Sequence, residues 1–213
     1  MRLTKFGHAC VRVEHDGTTV VIDPGAFTDP SALTGADAVL ITHEHMDHFE
    51  EPRLRAALEA DPALRVWTNR AVAVQLDGMA RRVTTVGEGD AFTIGGLDVT
   101  VHGEWHAEIH PDIPRVSNIG FLLGGRLFHP GDAFTLPPYA VDTLLLPLAA
   151  PWSKASEVLD YTRAAGARQA IPVHEATLSP IGRAVHTRLL GPEGPGTEAE
   201  LVVLGDGETH HLN

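Results

Sequence analysis

The sequence has one cysteine, Cys10, among 213 residues. A lone cysteine cannot form a disulfide within the chain, which is typical of proteins from reducing compartments. No run of about 18 apolar residues is present, and Met1–Phe6 lacks the apolar segment of a secretory signal peptide. We therefore expect a cytoplasmic protein without a membrane span.

Basic residues are also scarce. The chain has 16 lysines and arginines against 28 acidic residues, for a net charge of −12, and no local basic run. Such a charge repels phosphate backbones, so we expect no nucleic-acid partner. No low-complexity or Ser-rich linker divides the chain, so residues 1–213 are predicted to form one domain. With 43% hydrophobic residues, its core is predicted to fold without a structural metal.

Histidine, by contrast, is abundant, with 13 residues. The densest group, His-Glu-His-Met-Asp-His, covers residues 43–48 directly after the apolar run Ala38–Ile41, a predicted buried strand. Side chains two positions apart point the same way in extended backbone, so His43 and His45 can share one ion while Asp47 and His48 face a neighbouring ion. A solvated polar loop is the alternative, but ordinary packing rarely demands so many metal-ligating side chains.

Several other predicted strands also end on a metal-ligating side chain. Asp23 follows a strand over residues 18–22, Asp132 follows one over 126–129, and His174 follows one over 169–173. His106 lies in a polar loop over 102–115, where His102 and His110 are alternatives for the same ligand position. Imidazole and carboxylate together suit Zn²⁺, with Mn²⁺ and Fe²⁺ also possible.

The intervening segments predict an α/β fold of short strands and four helices. Turn signals occur at Asp16-Gly17 and Gly124-Gly125. Helices are predicted over residues 51–60, 69–77, 153–165 with Ser153 as N-cap, and from Ser179-Pro180 to Leu190. The last strands are predicted over 200–204 and 208–212.

Residues 43–48 resemble the His-x-His-x-Asp-His signature of the metallo-β-lactamase superfamily. An isolated histidine, a Gly-Asp dipeptide at Gly131-Asp132 and the final His174 follow in that family's order. Gly7-His8-Ala9 and Ile22-Asp23-Pro24 further resemble a compact branch that includes the ascorbate-6-phosphate lactonases and related uncharacterised hydrolases.

This resemblance implies a four-layer αββα sandwich with a site for two divalent metal ions at one edge. It implies that His43, His45 and His106 hold the first ion, and that Asp47, His48 and His174 hold the second. Asp132 would bridge both ions, with Asp47 and Asp132 acting in catalysis. Two ions about 3.5–4 Å apart can lower the pKa of a shared water toward about 7.

Several further residues have two interpretations. By the resemblance, His8 and Asp23 orient ligand side chains from behind, and His110 contacts either the ligands or the substrate. A turn histidine, a strand-end aspartate and an exposed histidine are the alternatives. We interpret His129 as a residue that points away from Asp132. Trp152 is either a pocket wall or a packing residue.

The predicted function is hydrolysis of an ester, lactone or phosphoester bond of a small cytoplasmic substrate by a metal-bridging hydroxide. One alternative is a phosphodiesterase acting on a small nucleotide or phospholipid-like molecule. Another is a metal-occupied binding or sensing module without turnover. The loops over residues 102–115 and 135–138 are predicted to determine specificity. The sequence leaves open whether the chain forms a homo-oligomer.

Overall fold

The computed structural model describes residues 1–79 and 81–212. Ala80 and Asn213, which belong to the predicted domain, lie outside the described residues. Two seven-stranded sheets account for the strands of this part of the chain. The first has the order β14-β1-β2-β3-β4-β5-β6 and the second has the order β13-β12-β11-β10-β9-β8-β7.

Within each sheet, most neighbouring strands are also consecutive along the chain. Those of the first sheet are β1 (Arg2–Lys5), β2 (Val11–His15), β3 (Thr18–Ile22), β4 (Ala38–Ile41), β5 (Arg65–Thr68), β6 (Val83–Thr85) and β14 (Thr209–His211). Those of the second sheet are β7 (Ala91–Ile94), β8 (Leu97–His102), β9 (Gly120–Leu123), β10 (Leu127–His129), β11 (Thr143–Pro147), β12 (Gln169–Val173) and β13 (Glu200–Leu201). The final two strands are shorter than predicted.

Alternation along the strands builds three apolar layers. In β4, Ala38 and Leu40 face the core between the sheets, whereas Val39 and Ile41 face the helices α1 (Glu51–Ala60) and α2 (Arg70–Gln75). On the other side, the second sheet packs against α3 (Ala155–Ala165) and α4 (Pro180–Leu190). The predicted four-layer αββα fold is confirmed.

Most helix boundaries match the capping signals. Asn69 and Ser179 accept hydrogen bonds from the first turns of α2 and α4. The prediction for α3 was wrong at its start, because the helix begins at Ala155 and Lys154 precedes it. Ser153 instead bonds locally to Ala150. No helix among the described residues is long and apolar enough to cross a membrane.

The topology brings the ends of the parallel strands to one edge of the sandwich. β3, β4 and β5 run parallel in the first sheet, as do β10, β11 and β12 in the second. Backbone hydrogen bonds tie the ends of these strands to neighbouring segments: Ile119, before β9, donates to Thr42 after β4, and His174, after β12, donates to His8 between β1 and β2. The loops that carry the predicted ligands therefore meet at this edge.

Candidate metal centre

The 43–48 cluster forms the loop between β4 and α1. The amides of His48 and Phe49 both donate to the carbonyl of His45, which coils the loop tightly. Gly25 lies against it so closely that a Cβ there would come within 2.1 Å of the Asp47 carbonyl. The absence of a side chain at position 25 therefore lets the loop take this path.

The first predicted ligand set is brought together as a compact group. The ligand atoms of His43, His45 and His106 lie within 4.8 Å of one another. Nε2 of His43 is 3.2 Å from Nδ1 of His45. His106 comes from the loop after β8, and its backbone amide bonds to Val116. The three nitrogens can share one ion.

The second predicted set lies beside the first. Ligand atoms of Asp47, His48 and His174 also lie within 4.8 Å of one another, together with one atom of His8. Asp132 stands between the sets, because Oδ1 is 3.1 Å from His48 Nε2 and Oδ2 is 3.4 Å from His106 Nε2. Asp132 would be a ligand shared by the two groups if each held an ion.

Hydrogen-bond acceptors in fixed positions orient the buried imidazoles, so that one particular nitrogen of each ring faces the centre. His48 Nδ1 donates to Asp23 Oδ2 at 2.7 Å, and His174 Nδ1 donates to the Ala149 carbonyl at 2.8 Å. His106 Nδ1 likewise donates to the Ala107 carbonyl. Since carboxylates and carbonyls only accept, these rings carry a proton on Nδ1 and direct Nε2 toward the centre, where it can bind a metal ion once it is unprotonated.

Thr42 orients His43 in a similar way. Its amide and hydroxyl both donate to Asp23, at 2.8 and 2.7 Å. The hydroxyl hydrogen is thus committed, so the oxygen accepts from His43 Nδ1 at 2.9 Å. Asp23 therefore orients His48 directly and His43 through Thr42, which is the supporting contact that metal ligands usually have.

Four buried atoms of the centre have no hydrogen-bond partner among residues 1–79 and 81–212. They are Nε2 of His48, His106 and His174, and Oδ1 of Asp132. Such orphaned atoms are costly unless something else satisfies them. A tight group of imidazole and carboxylate lone pairs fits a divalent cation of the zinc, iron or manganese type.

The charges agree with this fit. Burial lowers the pKa of His43 and His45, and neighbouring imidazoles lower it further, which keeps both rings in the neutral form that binds metal. Burial alone would raise the pKa of Asp132, but His48, His106 and His174 outweigh it and hold the pKa well below its usual range.

The second set attracts positive charge. Burial would lower the pKa of His48 and His174, but the neighbouring carboxylates overcome it and raise both, that of His174 to about 9. A proton or a divalent ion can supply this positive charge.

His8 supports Asp47 from behind. Its Nδ1 accepts from the amide of Ala176 at 3.3 Å, so its Nε2 carries the proton and donates to Asp47 Oδ2 at 3.0 Å. His8, Asp23 and His174 have φ values of 47°, 50° and 62° in the left-handed region. Side chains in this region cost roughly 1–3 kcal/mol each, a strain that tends to concentrate at functional sites.

The other histidines of the 102–115 loop are not brought to the centre. His110 has a side chain that is 61% exposed beside Asp112, and His102 bonds to Thr100. The loop turns at the bridge between Trp105 and Ser117, which leaves His106 facing inward. Of the interpretations of His110, the exposed histidine fits this placement.

Sequence reasoning missed several supporting side chains. Asn118 accepts from the Asp132 amide at 2.9 Å and donates to the Pro130 carbonyl, which fixes the turn that carries this ligand. His129 is buried and bonds to Ala9 and Gly131. Trp152 donates its indole N–H to Asp132 at 2.9 Å. Asn118 lies two residues before β9, and the sequence indicated Trp152 only as a pocket wall or a packing residue.

Comparison with known families decides the classification. The model of the β-lactamase superfamily domain matches residues 2–174. This match includes every predicted ligand. The chain belongs to the β-lactamase superfamily.

Relatives in this superfamily span nearly the whole chain. Protein Rv0786c of Mycobacterium tuberculosis is 41% identical over 192 residues, covering 87% of this chain and 89% of that protein. UPF0173 metal-dependent hydrolase MK1542 of Methanopyrus kandleri is 28% identical and covers 99% of both chains. Igni18, a metallo hydrolase of Ignicoccus hospitalis, has the same fold, with a TM-score of 0.77 at 22% identity over 98% of this chain and 97% of that chain.

Asp23→Asn is expected to weaken zinc binding about 10- to 100-fold, the usual effect of losing a partner behind a ligand. The amide cannot accept at full strength from both His48 and Thr42, so the two imidazoles lose their fixed orientation. Competition with a chromogenic chelator measures the affinity. Asp29→Asn, at the cap of the 3₁₀ turn Pro30–Leu33, is the matched control and keeps wild-type affinity. Equal affinities for the two variants would contradict the orienting role.

Proposed function

We propose that this chain hydrolyses an ester, lactone or phosphoester bond of a small substrate at the His–Asp centre, with water activated by two divalent metal ions as the nucleophile. The broader class, a metal-dependent hydrolase of the β-lactamase superfamily, follows from the family and from relatives such as MK1542. We take zinc as the first candidate, with manganese and iron as alternatives.

The observation that carries the proposal is the convergence of unpartnered ligand atoms. Three imidazole Nε2 atoms converge on the Asp132 carboxylate in a buried space, and each of the three rings is held by an acceptor on its Nδ1. Two adjacent ions there would lower the pKa of a shared water and stabilise negative charge on the reacting group.

Asp47 and Asp132 have different proposed roles. Asp132 is 3% exposed and lies between the two ligand sets, so it offsets the repulsion between two cations. The Asp47 side chain is 21% exposed and is held on one oxygen by His8. It can therefore bind an ion and also orient an attacking water at the open side of the centre.

The substrate is proposed to enter beside the first ligand set. Side chains of the 102–115 loop border His45 and His106 there, among them Ile109, Ile113 and Arg115. Arg115 donates to the His106 carbonyl, so this loop is tied directly to a ligand. Its apolar and cationic side chains are proposed to select the substrate.

The test combines metal analysis with turnover. Protein stripped by a chelator and reconstituted with zinc, manganese or iron is assayed on a panel of esters, lactones and phosphodiesters. We expect about two ions per chain and turnover that chelation abolishes and metal restores. Metal bound without turnover of any substrate would favour the binding or sensing module, and a folded protein that binds no metal would refute the proposal.

Chelation is also expected to lower thermal stability without unfolding the protein at 25 °C. The apolar layers do not involve the ligands, so the fold persists, but an ion present at 100 times its Kd stabilises by about 2.7 kcal/mol. For a chain of this length, that corresponds to a decrease in Tm of roughly 5–10 °C. Calorimetry with and without chelator checks it. Unfolding on chelation at 25 °C would contradict the independence of fold and metal.

A further inference from the structure

The side chain of Trp152 lies against the metal centre. It comes from the segment between β11 and α3, and its indole Nε1–H donates to Asp132 Oδ2 at 2.9 Å. Its ring centroid is 5.9 Å from that of His106 and 6.5 Å from that of His174. Trp152 therefore borders both ligand sets and binds the carboxylate between them.

The hydrogen bond from Trp152 makes the two oxygens of Asp132 inequivalent. Oδ2 accepts from the indole and lies 3.0 Å from His174 Nε2, while Oδ1 lies 3.1 Å from His48 Nε2 and receives no contact from the indole. A carboxylate rotates readily about its last torsion angle, because this torsion is broad rather than staggered. A donor fixed on one oxygen sets the plane of the carboxylate and so fixes the direction of the other oxygen.

The indole itself is held in place. Phe134 packs edge-to-face on Trp152 at 5.0 Å, and Tyr161 of α3 packs on Phe134 at 4.9 Å. The Tyr161 hydroxyl donates to the Thr135 carbonyl at 2.7 Å. This aromatic row connects the Asp132 contact to the buried face of a helix, so the N–H cannot swing away from the carboxylate at little cost.

We propose that Trp152 is a positioning residue of the metal centre: its indole N–H fixes the plane of the Asp132 carboxylate and thereby sets the affinity of the centre for divalent ions. This assignment rests on the proposed function, in which Asp132 is a metal ligand. The residue acts through Asp132.

Trp152→Phe removes the N–H and keeps an aromatic ring in contact with Phe134. Zinc affinity, measured by competition with a chromogenic chelator, is expected to fall about 10- to 100-fold, the usual loss for a group that supports a ligand. Trp67→Phe is the matched control, because it makes the same substitution at an indole that stacks on Phe92 in the apolar layer between the sheets. Its affinity is expected to stay close to that of the wild-type protein.

Fluorescence supplies a second readout, since the chain has only three tryptophans, at positions 67, 105 and 152. In a variant with Trp67→Phe and Trp105→Phe, Trp152 is the sole indole. Zinc should change its emission, because the carboxylate that accepts its hydrogen bond becomes a metal ligand. Wild-type protein should show the same change, and Trp152→Phe should lose it.

The outcomes separate this inference from the proposed function. Weaker zinc binding by Trp152→Phe alone, with a zinc response from the indole, supports the positioning role. Wild-type affinity in Trp152→Phe, or an equal loss in Trp67→Phe, overturns the positioning role and leaves the proposed metal centre standing. A wild-type protein that binds no divalent ion overturns the proposed function and this assignment together.

Discussion

Asp132→Ala is expected to abolish hydrolysis while leaving the protein folded. The carboxylate lies between the two ligand sets, with one unpartnered oxygen, so its loss removes a ligand from both ion positions. If this costs about 4 kcal/mol of transition-state stabilisation, kcat/KM falls by roughly 10³-fold. The turn itself should persist, because Asn118 binds the backbone amide of residue 132, which alanine retains.

Three measurements make this result interpretable. Circular dichroism shows whether the fold is retained, metal analysis shows whether ions are lost, and steady-state kinetics gives kcat/KM on the substrate found with wild-type protein. Asp142→Ala is a matched control, since Asp142 is a carboxylate beyond β10 that pairs with Arg126 on the surface. Its activity should be that of the wild type. A folded Asp132→Ala protein with wild-type activity would remove Asp132 from the mechanism.

The fold was predictable from local patterns because each element carries its own signals. A continuous apolar run marks β4 as a strand buried on both faces, and Asn69 and Ser179 mark helix starts. The start of α3 was predicted wrongly because serine is a preferred N-cap residue, but the Ser153 hydroxyl bonds to Ala150 instead of the first turn of the helix. Composition alone does not show which of two adjacent residues begins a helix.

Residues 43–48 could be singled out as a metal site because four ligand-type side chains fall within one short segment. Their supporting contacts do not follow from this local pattern, and only the family resemblance pointed to His8 and Asp23. Asp23 and Trp152 act on His48 and Asp132 across 25 and 20 positions of sequence. Similarly, His106 and His110 belong to the same polar loop, and only its pairing through Trp105 and Ser117 turns the former inward. Such contacts depend on tertiary packing.

The close approach of Gly25 to the 43–48 loop also depends on tertiary packing. Gly25→Ala is expected to lower both the stability of the fold and the affinity for metal. The added Cβ would lie 2.1 Å from the carbonyl carbon and oxygen of Asp47 and 2.4 Å from the amide nitrogen of His48. These are backbone atoms, which cannot rotate away, so the loop that carries four predicted ligands must shift. Overpacking of this kind costs about 3 kcal/mol. Zinc affinity should fall with it, because the ligand nitrogens no longer converge.

The two effects can be separated by measuring each with a control. Urea denaturation in the presence of chelator gives the free energy of unfolding without any contribution from metal, and a zinc titration gives the affinity. Gly87→Ala is the matched substitution, since no heavy atom lies within 4 Å of a Cβ there, and it should change stability by less than about 0.5 kcal/mol. The Gly25 contact acts on the backbone of Asp47 and His48, and this backbone positions the side chains of these two predicted ligands. If Gly25→Ala bound zinc as tightly as Gly87→Ala, the ligands would not depend on the close approach of Gly25 to the loop.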